Sequence, residues 1–212
     1  MTSTYTTPRY AESALITIDM QRDFLDGQPF AIAGTSAVVP TIRRLVQFFR
    51  TKARPIVHVV RLYRADGSNV DISRRDVVER GANLVRPGSL GAELVDALLP
   101  DPHVRVDGET LLAGDLQAVG PDEWIMYKPR WGAFFATRLE EHVRRLGIST
   151  LVFAGCNFPN CPRTSIYEAS ERDFRVVAIE DAISGIYEKG RSELAGIGVV
   201  VLSADAFFDE AV

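Results

Sequence analysis

Short apolar runs alternate along this chain with segments that are apolar on one side only. Ala14 to Asp19, Pro55 to Arg61, Glu123 to Lys128, Thr150 to Gly155, Arg175 to Glu180 and Gly198 to Leu202 read as six strands buried on both faces. Ser36 to Lys52, Leu90 to Leu99, Gly132 to Leu146, Pro162 to Arg172 and Tyr187 to Ala195 read as helices between them. Val39, Ile42, Val46 and Phe49 recur at helical spacing in the first helix, as do Leu139, Val143 and Leu146 in the third, so each buries one face. This rhythm predicts an α/β fold of three layers, α/β/α, with a doubly wound, mainly parallel sheet.

Two stretches break the rhythm. Residues 62–89 are polar, rich in arginine, glycine and aspartate, and too long for an ordinary connection, which suggests a lid or an interface element. Asp101 to Pro121 reads as a loop, with Asp107-Gly108 and Gly120-Pro121 as turn signals. Nothing resembles a linker, and residues 1–212 read as a single domain.

Open parallel sheets build their sites at the C-terminal ends of their strands. Asp19 ends the run from Ala14 to Ile18, Lys128 ends the run from Trp124 to Tyr127, and Gly155 to Arg163 follows the fourth strand. Pro162 suits the first turn of a helix, which places Cys161 at a helix N-terminus, where free amides and the helix dipole favour thiolate over thiol. Each residue alone has a plainer reading: Cys161 as a small buried hydrophobe, Asp19 as a strand-end cap, Lys128 as a surface charge. Three such groups converging on one sheet edge point instead to nucleophilic catalysis.

Composition narrows the picture. The chain has 212 residues, 46% of them hydrophobic, enough for a substantial core. A net charge of -4 gives no general attraction for nucleic acid or an anionic membrane, and neither is expected as a partner. Arg61, Arg64, Arg74 and Arg75 read as a solvated cluster, although Arg61, Arg64 and Arg130 also stand where a substrate anion could be read. Met1 to Ser13 is polar and no run approaches the roughly 20 apolar residues of a membrane span, which suggests a cytoplasmic protein. Two cysteines five residues apart and three histidines suit neither a disulfide framework nor a zinc site. Gly196-Ile197-Gly198 lacks the third glycine of a dinucleotide fingerprint, so neither cofactor nor metal is expected.

Taken together, Leu15 to Phe24, Lys128 to Phe134, Gly155 to Cys161 and Asp181-Ala182 resemble the motifs of the isochorismatase-like cysteine hydrolase superfamily, over nearly the whole chain. The spacing from Gly155 to Cys161 matches that family's step from strand-end glycine to nucleophile. The resemblance implies that Asp19 carries the proton, Lys128 keeps the network charged and Cys161 attacks a carbonyl carbon. It also implies an oxyanion hole from the backbone N–H groups of Asn157 and Cys161, with a cis peptide between Cys156 and Asn157. Phe24, Trp131 and Phe158 would wall the pocket, whereas Phe134 and Phe135 read as core packing. Family members such as the nicotinamidases carry an aspartate-histidine-histidine metal motif after the second strand. Here that segment, Arg61 to Gly67, has no histidine, so no metal is expected. A homo-oligomer acting on a small molecule is implied as well. The resulting expectation is an amidohydrolase that opens a carbon-nitrogen bond of an amide, ureido or carbamoyl compound through an acyl-enzyme. Isochorismatase-type vinyl ether hydrolysis, which does not need the cysteine, and a catalytically silent binding or assembly module are the alternatives.

Overall fold

The computed structural model of the protein describes residues 4–211. Among the described residues the apolar runs become seven strands: β1 (Ser13–Ile18), β2 (Ile56–Val60), β3 (Gln117–Gly120), β4 (Glu123–Tyr127), β5 (Thr150–Gly155), β6 (Arg175–Ile183) and β7 (Val200–Leu202). They pair in the order β3-β4-β2-β1-β5-β6-β7, parallel throughout except for β3 against β4. The helices are α1 (Thr35–Thr51), α2 (Ile72–Glu79), α3 (Gly108–Leu112), α4 (Leu139–Arg145), α5 (Cys161–Ser170), α6 (Glu188–Gly196) and α7 (Ala204–Glu210).

Alternate residues of β1 explain why the run is apolar throughout. Leu15 packs into a core layer shared with α1 and α7, while Ala14, Ile16 and Ile18 pack into the opposite layer with α4, α5 and α6. A strand covered on both faces has no solvent side on which to place polar residues. The chain leaves β1 for β2 and β4 on one side and returns to β5 on the other, so the strand order reverses between β1 and β5. That reversal opens a crevice at their C-terminal ends.

Below the crevice, a buried polar network ties four elements together. Thr17 Oγ1 lies 2.7 Å from His58 Nδ1, His58 Nε2 lies 2.8 Å from Glu123 Oε1, and Arg50 donates to both carboxylate oxygens of Glu123 at 2.7 and 2.6 Å. Burial alone would push the Glu123 carboxyl up, but the hydrogen bonds and charges of Arg50 and His58 outweigh it and bring the pKa to about 2.

Several expectations need correction. The sheet has seven strands rather than six, because Gln117–Gly120 pairs antiparallel with β4 inside the stretch read as a loop. Leu90 to Leu99 is not one helix but two 3-10 turns, Leu90–Ala92 and Asp96–Leu98. Its main chain bonds across to residues 20–22 instead: Val95 N–H donates to the Met20 carbonyl, Arg22 N–H to Glu93, and Gln21 Nε2 to Ala92. The third predicted helix is cut to Leu139–Arg145, since the Ala133 and Phe134 amides donate to the Ser165 hydroxyl and the Glu168 carboxylate on α5. The 62–89 stretch carries α2, and α3 and α7 were not anticipated. Among the described residues no helix is long and apolar enough to cross a membrane.

Candidate active site

Four strand ends supply the crevice. Asp19 follows β1 directly and adopts a left-handed conformation, φ 52°, sparsely populated for a residue with a side chain and characteristic of sites held by their surroundings. Its carboxylate, 4% exposed, accepts a hydrogen bond at Oδ2 from Lys128 Nζ at 2.9 Å. Oδ1 is buried and takes no hydrogen bond from any described donor. Lys128, directly after β4, is fully buried, and its ammonium also reaches the Arg130 carbonyl at 3.4 Å. A lysine is buried in this way only when paired.

The segment after β5 bends sharply. Gly155 sits at φ 125°, and a Cβ there would overlap the Ile18 carbonyl, so only glycine lets β5 lie this close to β1. The Cys156–Asn157 peptide is cis. Cys161 opens α5, with Pro162 in its first turn. The N–H groups of Asn157 and Cys161 have no acceptor among the described residues.

Asp19 and Cys161 line one cavity of about 280 Å³ together with Phe24, Arg61, Tyr63 and Trp131. That volume is at the small end for ligand sites and fits a compact molecule. Phe24 and Trp131 stand on its wall. Phe158 does not: its ring is fully buried in the core below, over Gly190 and edge-on to Tyr187, which corrects its assignment to the pocket. Phe134 packs in the core, but Phe135 is 54% exposed, against its reading as a core residue.

The electrostatics also depart from the expectation. Burial pushes the Cys161 thiol up, the Asp19 charge pushes it further, and Lys128 and Arg61 only partly offset them. Burial and the Asp19 charge therefore favour the protonated thiol in the resting site. Cys156, fully buried, is raised as well, first by burial and then by the Asp19 charge.

Arg61 was read as part of a solvated cluster, and the structure places it inside the site. It is 4% exposed, with Nη2 3.6 Å from Cys161 Sγ and Nη1 2.7 Å from Asp71 Oδ2. Its surroundings come from residues 10 and 100 positions away, so no local pattern could have disclosed them. Arg64 and Arg130 are exposed. The cavity is a poor fit for a divalent metal. Among the described residues no three His, Cys, Asp or Glu side chains are placed so that they could hold a metal ion together, and the group against the sulfur is itself a cation.

Comparison with known proteins agrees with this architecture. A protein of Arabidopsis thaliana named as a probable inactive nicotinamidase is 30% identical over 90% of this chain and 92% of its own length. The ureidoacrylate amidohydrolase RutB of Methylobacterium radiotolerans is 27% identical over 88% of this chain and 73% of its own. The crystal structure of an isochorismatase family protein from Desulfovibrio vulgaris superposes with a TM-score of 0.78 at 31% identity, covering 94% of this chain and 97% of that one. The family model for the isochorismatase domain matches residues 13–197, from the first residue of β1 through the end of α6. The sheet order, the crevice between β1 and β5 and this match together make the chain a member of the isochorismatase family.

Proposed function

We propose that the protein is a cysteine-dependent hydrolase that cleaves a carbon-nitrogen bond of a small amide, ureido or carbamoyl compound. The observation that carries this reading is the meeting, in one small cavity, of a buried carboxylate already paired with a lysine and a cysteine at a helix N-terminus.

Asp19 takes the thiol proton as Sγ of Cys161 adds to the carbonyl carbon, and the free amides of Asn157 and Cys161 meet the developing oxyanion. Such donors typically stabilise the transition state by about 3 kcal/mol each. Asp19 then hands the proton to the departing nitrogen, the carbon-nitrogen bond breaks and a thioester remains on Cys161. Water, deprotonated by Asp19, attacks the thioester, the carbon-sulfur bond breaks to release the acid, and Asp19 returns the proton to Sγ of Cys161. Lys128 holds Asp19 oriented through these transfers. The ureidoacrylate specificity in the name of the RutB relative supports a ureido or carbamoyl substrate.

Rapid acid quenching of a turnover mixture with a reactive small amide tests the reading. An acyl group on the Cys161 peptide, intercepted by hydroxylamine as a hydroxamate, is the expected result. Undiminished turnover by Cys161→Ala without any adduct would favour vinyl ether hydrolysis. No turnover of any compound in a broad panel of amides and enol ethers would favour a silent binding module.

A further inference from the structure

The chemistry above leaves Arg61 unused, although its guanidinium is the cation that touches the sulfur. Nη2 lies 3.6 Å from Cys161 Sγ, whereas Lys128 Nζ is engaged by Asp19 Oδ2 and the Arg130 carbonyl. The guanidinium is also held in place. Nη1 donates to Asp71 Oδ2, the Tyr63 hydroxyl donates to the same oxygen at 2.5 Å, and Ser73 Oγ donates to Oδ1 of Asp71 at 2.5 Å. Gln21 fixes the backbone of Arg61, accepting from its N–H at 2.7 Å and donating to its carbonyl at 2.9 Å. Asp71 is the N-cap residue of α2, so this buttress belongs to the 62–89 segment.

We propose that Arg61 is a further catalytic residue of the same reaction, holding the Cys161 sulfur as a thiolate once Asp19 has taken its proton, and that Asp71 and Tyr63 are the positioning residues that aim it. The inference rests on Cys161 as the nucleophile. When the proton moves from Sγ to the carboxylate, the negative charge moves from an oxygen facing Lys128 to a sulfur facing Arg61. Without Arg61 the sulfur loses the guanidinium that lies 3.6 Å from it, and the buried charge is left to the field of Lys128, whose own hydrogen bond goes to Asp19.

The charged and titratable groups around the sulfur are Asp19 after β1, Lys128 after β4, Cys156 after β5 and, across the cavity, Tyr63, Asp71 and Arg74. Asp19 opposes the thiolate, Lys128 and Arg61 favour it, and Cys156 is kept a neutral thiol by its burial. Burial pushes the Tyr63 phenol up, so it stays a donor to Asp71. Burial also pushes Asp71 up, but hydrogen bonds from Ser73 and Tyr63 and the Arg61 and Arg74 charges hold it below the usual carboxylate range. A guanidinium suits the task because it keeps its proton, and its fork serves Asp71 with one arm and the sulfur with the other.

The test is the pH dependence of iodoacetamide alkylation at Cys161, mapped on peptides by mass spectrometry, in the wild-type protein and in Arg61→Met, Arg61→Lys and Tyr63→Phe, with folding checked by circular dichroism. In Arg61→Met the inflection should rise by about one pH unit or more, slowing alkylation at neutral pH about tenfold. Arg61→Lys, which keeps the charge but loses the fork, should rise less, and Tyr63→Phe should slow alkylation about twofold. If Arg61→Met fails to fold, the other two variants decide. An inflection that stays at the wild-type position in the folded variants overturns the role of Arg61 and leaves Cys161 as the nucleophile. Alkylation confined to Cys156 overturns the nucleophile assignment, and the inference with it.

Discussion

In the proposed mechanism Asp19 acts on Cys161 in two opposed ways. Its charge favours the protonated thiol at rest, and its lone pairs would receive the proton when the sulfur attacks. Replacing Asp19 by Asn removes both effects, so alkylation and catalysis should diverge. The thiol inflection should fall and iodoacetamide labelling of Cys161 at neutral pH should accelerate, while turnover drops by about 100- to 10,000-fold through loss of the base. Parallel loss of labelling and turnover would show that Asp19 only holds the site together. Asp19, Lys128 and Cys161 were legible in the chain because each directly follows, or closely follows, an apolar run whose end is a strand end. Phe158 was misread for a related reason: its place near the nucleophile says nothing of where the ring turns, and the ring turns into the core onto Gly190. A bulky side chain at Gly190 would compete for that same space.

Elements depend on contacts that are distant in sequence, and here the seam between β1 and β5 is the most exacting. A Gly155→Ala chain must relieve both the positive φ and the overlap with the Ile18 carbonyl, and should lose about 3 kcal/mol in urea unfolding. A loss below about 1 kcal/mol would mean that the two strand ends separate without difficulty. The network joining β1, β2, β4 and α1 makes a separate prediction. Because the folded pKa of Glu123 lies at about 2, below its ordinary 4.5, its contribution is fully present above about pH 4.5 and is lost as the pH falls from there through about 2. It amounts to at most about 3 kcal/mol. The urea-midpoint gap between the wild-type protein and Glu123→Gln should therefore be wide at neutral pH and narrow at about pH 2.5; a gap independent of pH would remove Glu123 from the acid response. Periodicity disclosed the long strands and α1, whose buried face is continuous. It failed for Leu90 to Leu99 and for Gly132 to Arg138, where the main chain finds its partners in residues 20–22 and on α5 rather than within a helix. Such tertiary partners leave no mark on local spacing.

At the scale of the whole molecule, we predict self-association, through an exposed apolar patch beside the cavity. Ile72 is 87% exposed on α2, and Trp131 and Phe135 stand open beside it, around a shallow hollow at the mouth of the cavity. Light scattering should give at least twice the mass of one chain, and Phe135→Asp should reduce it; a wild-type monomer at micromolar concentration would exclude a partner subunit at the site. The reversal of strand order has a further consequence, for the chain as it is synthesised. Cys156 and Asp19 meet across 137 residues, and β5 is the strand that completes the covering of β1. Closing a loop of that length is entropically costly and slow. A ribosome paused between Lys128 and Thr150 therefore holds a polypeptide with the carboxylate, the lysine and the arginine but neither cysteine. Both cysteines are made after β5, so the Cys161 thiol joins the chain only once the strand that seats it beside Asp19 has been made as well.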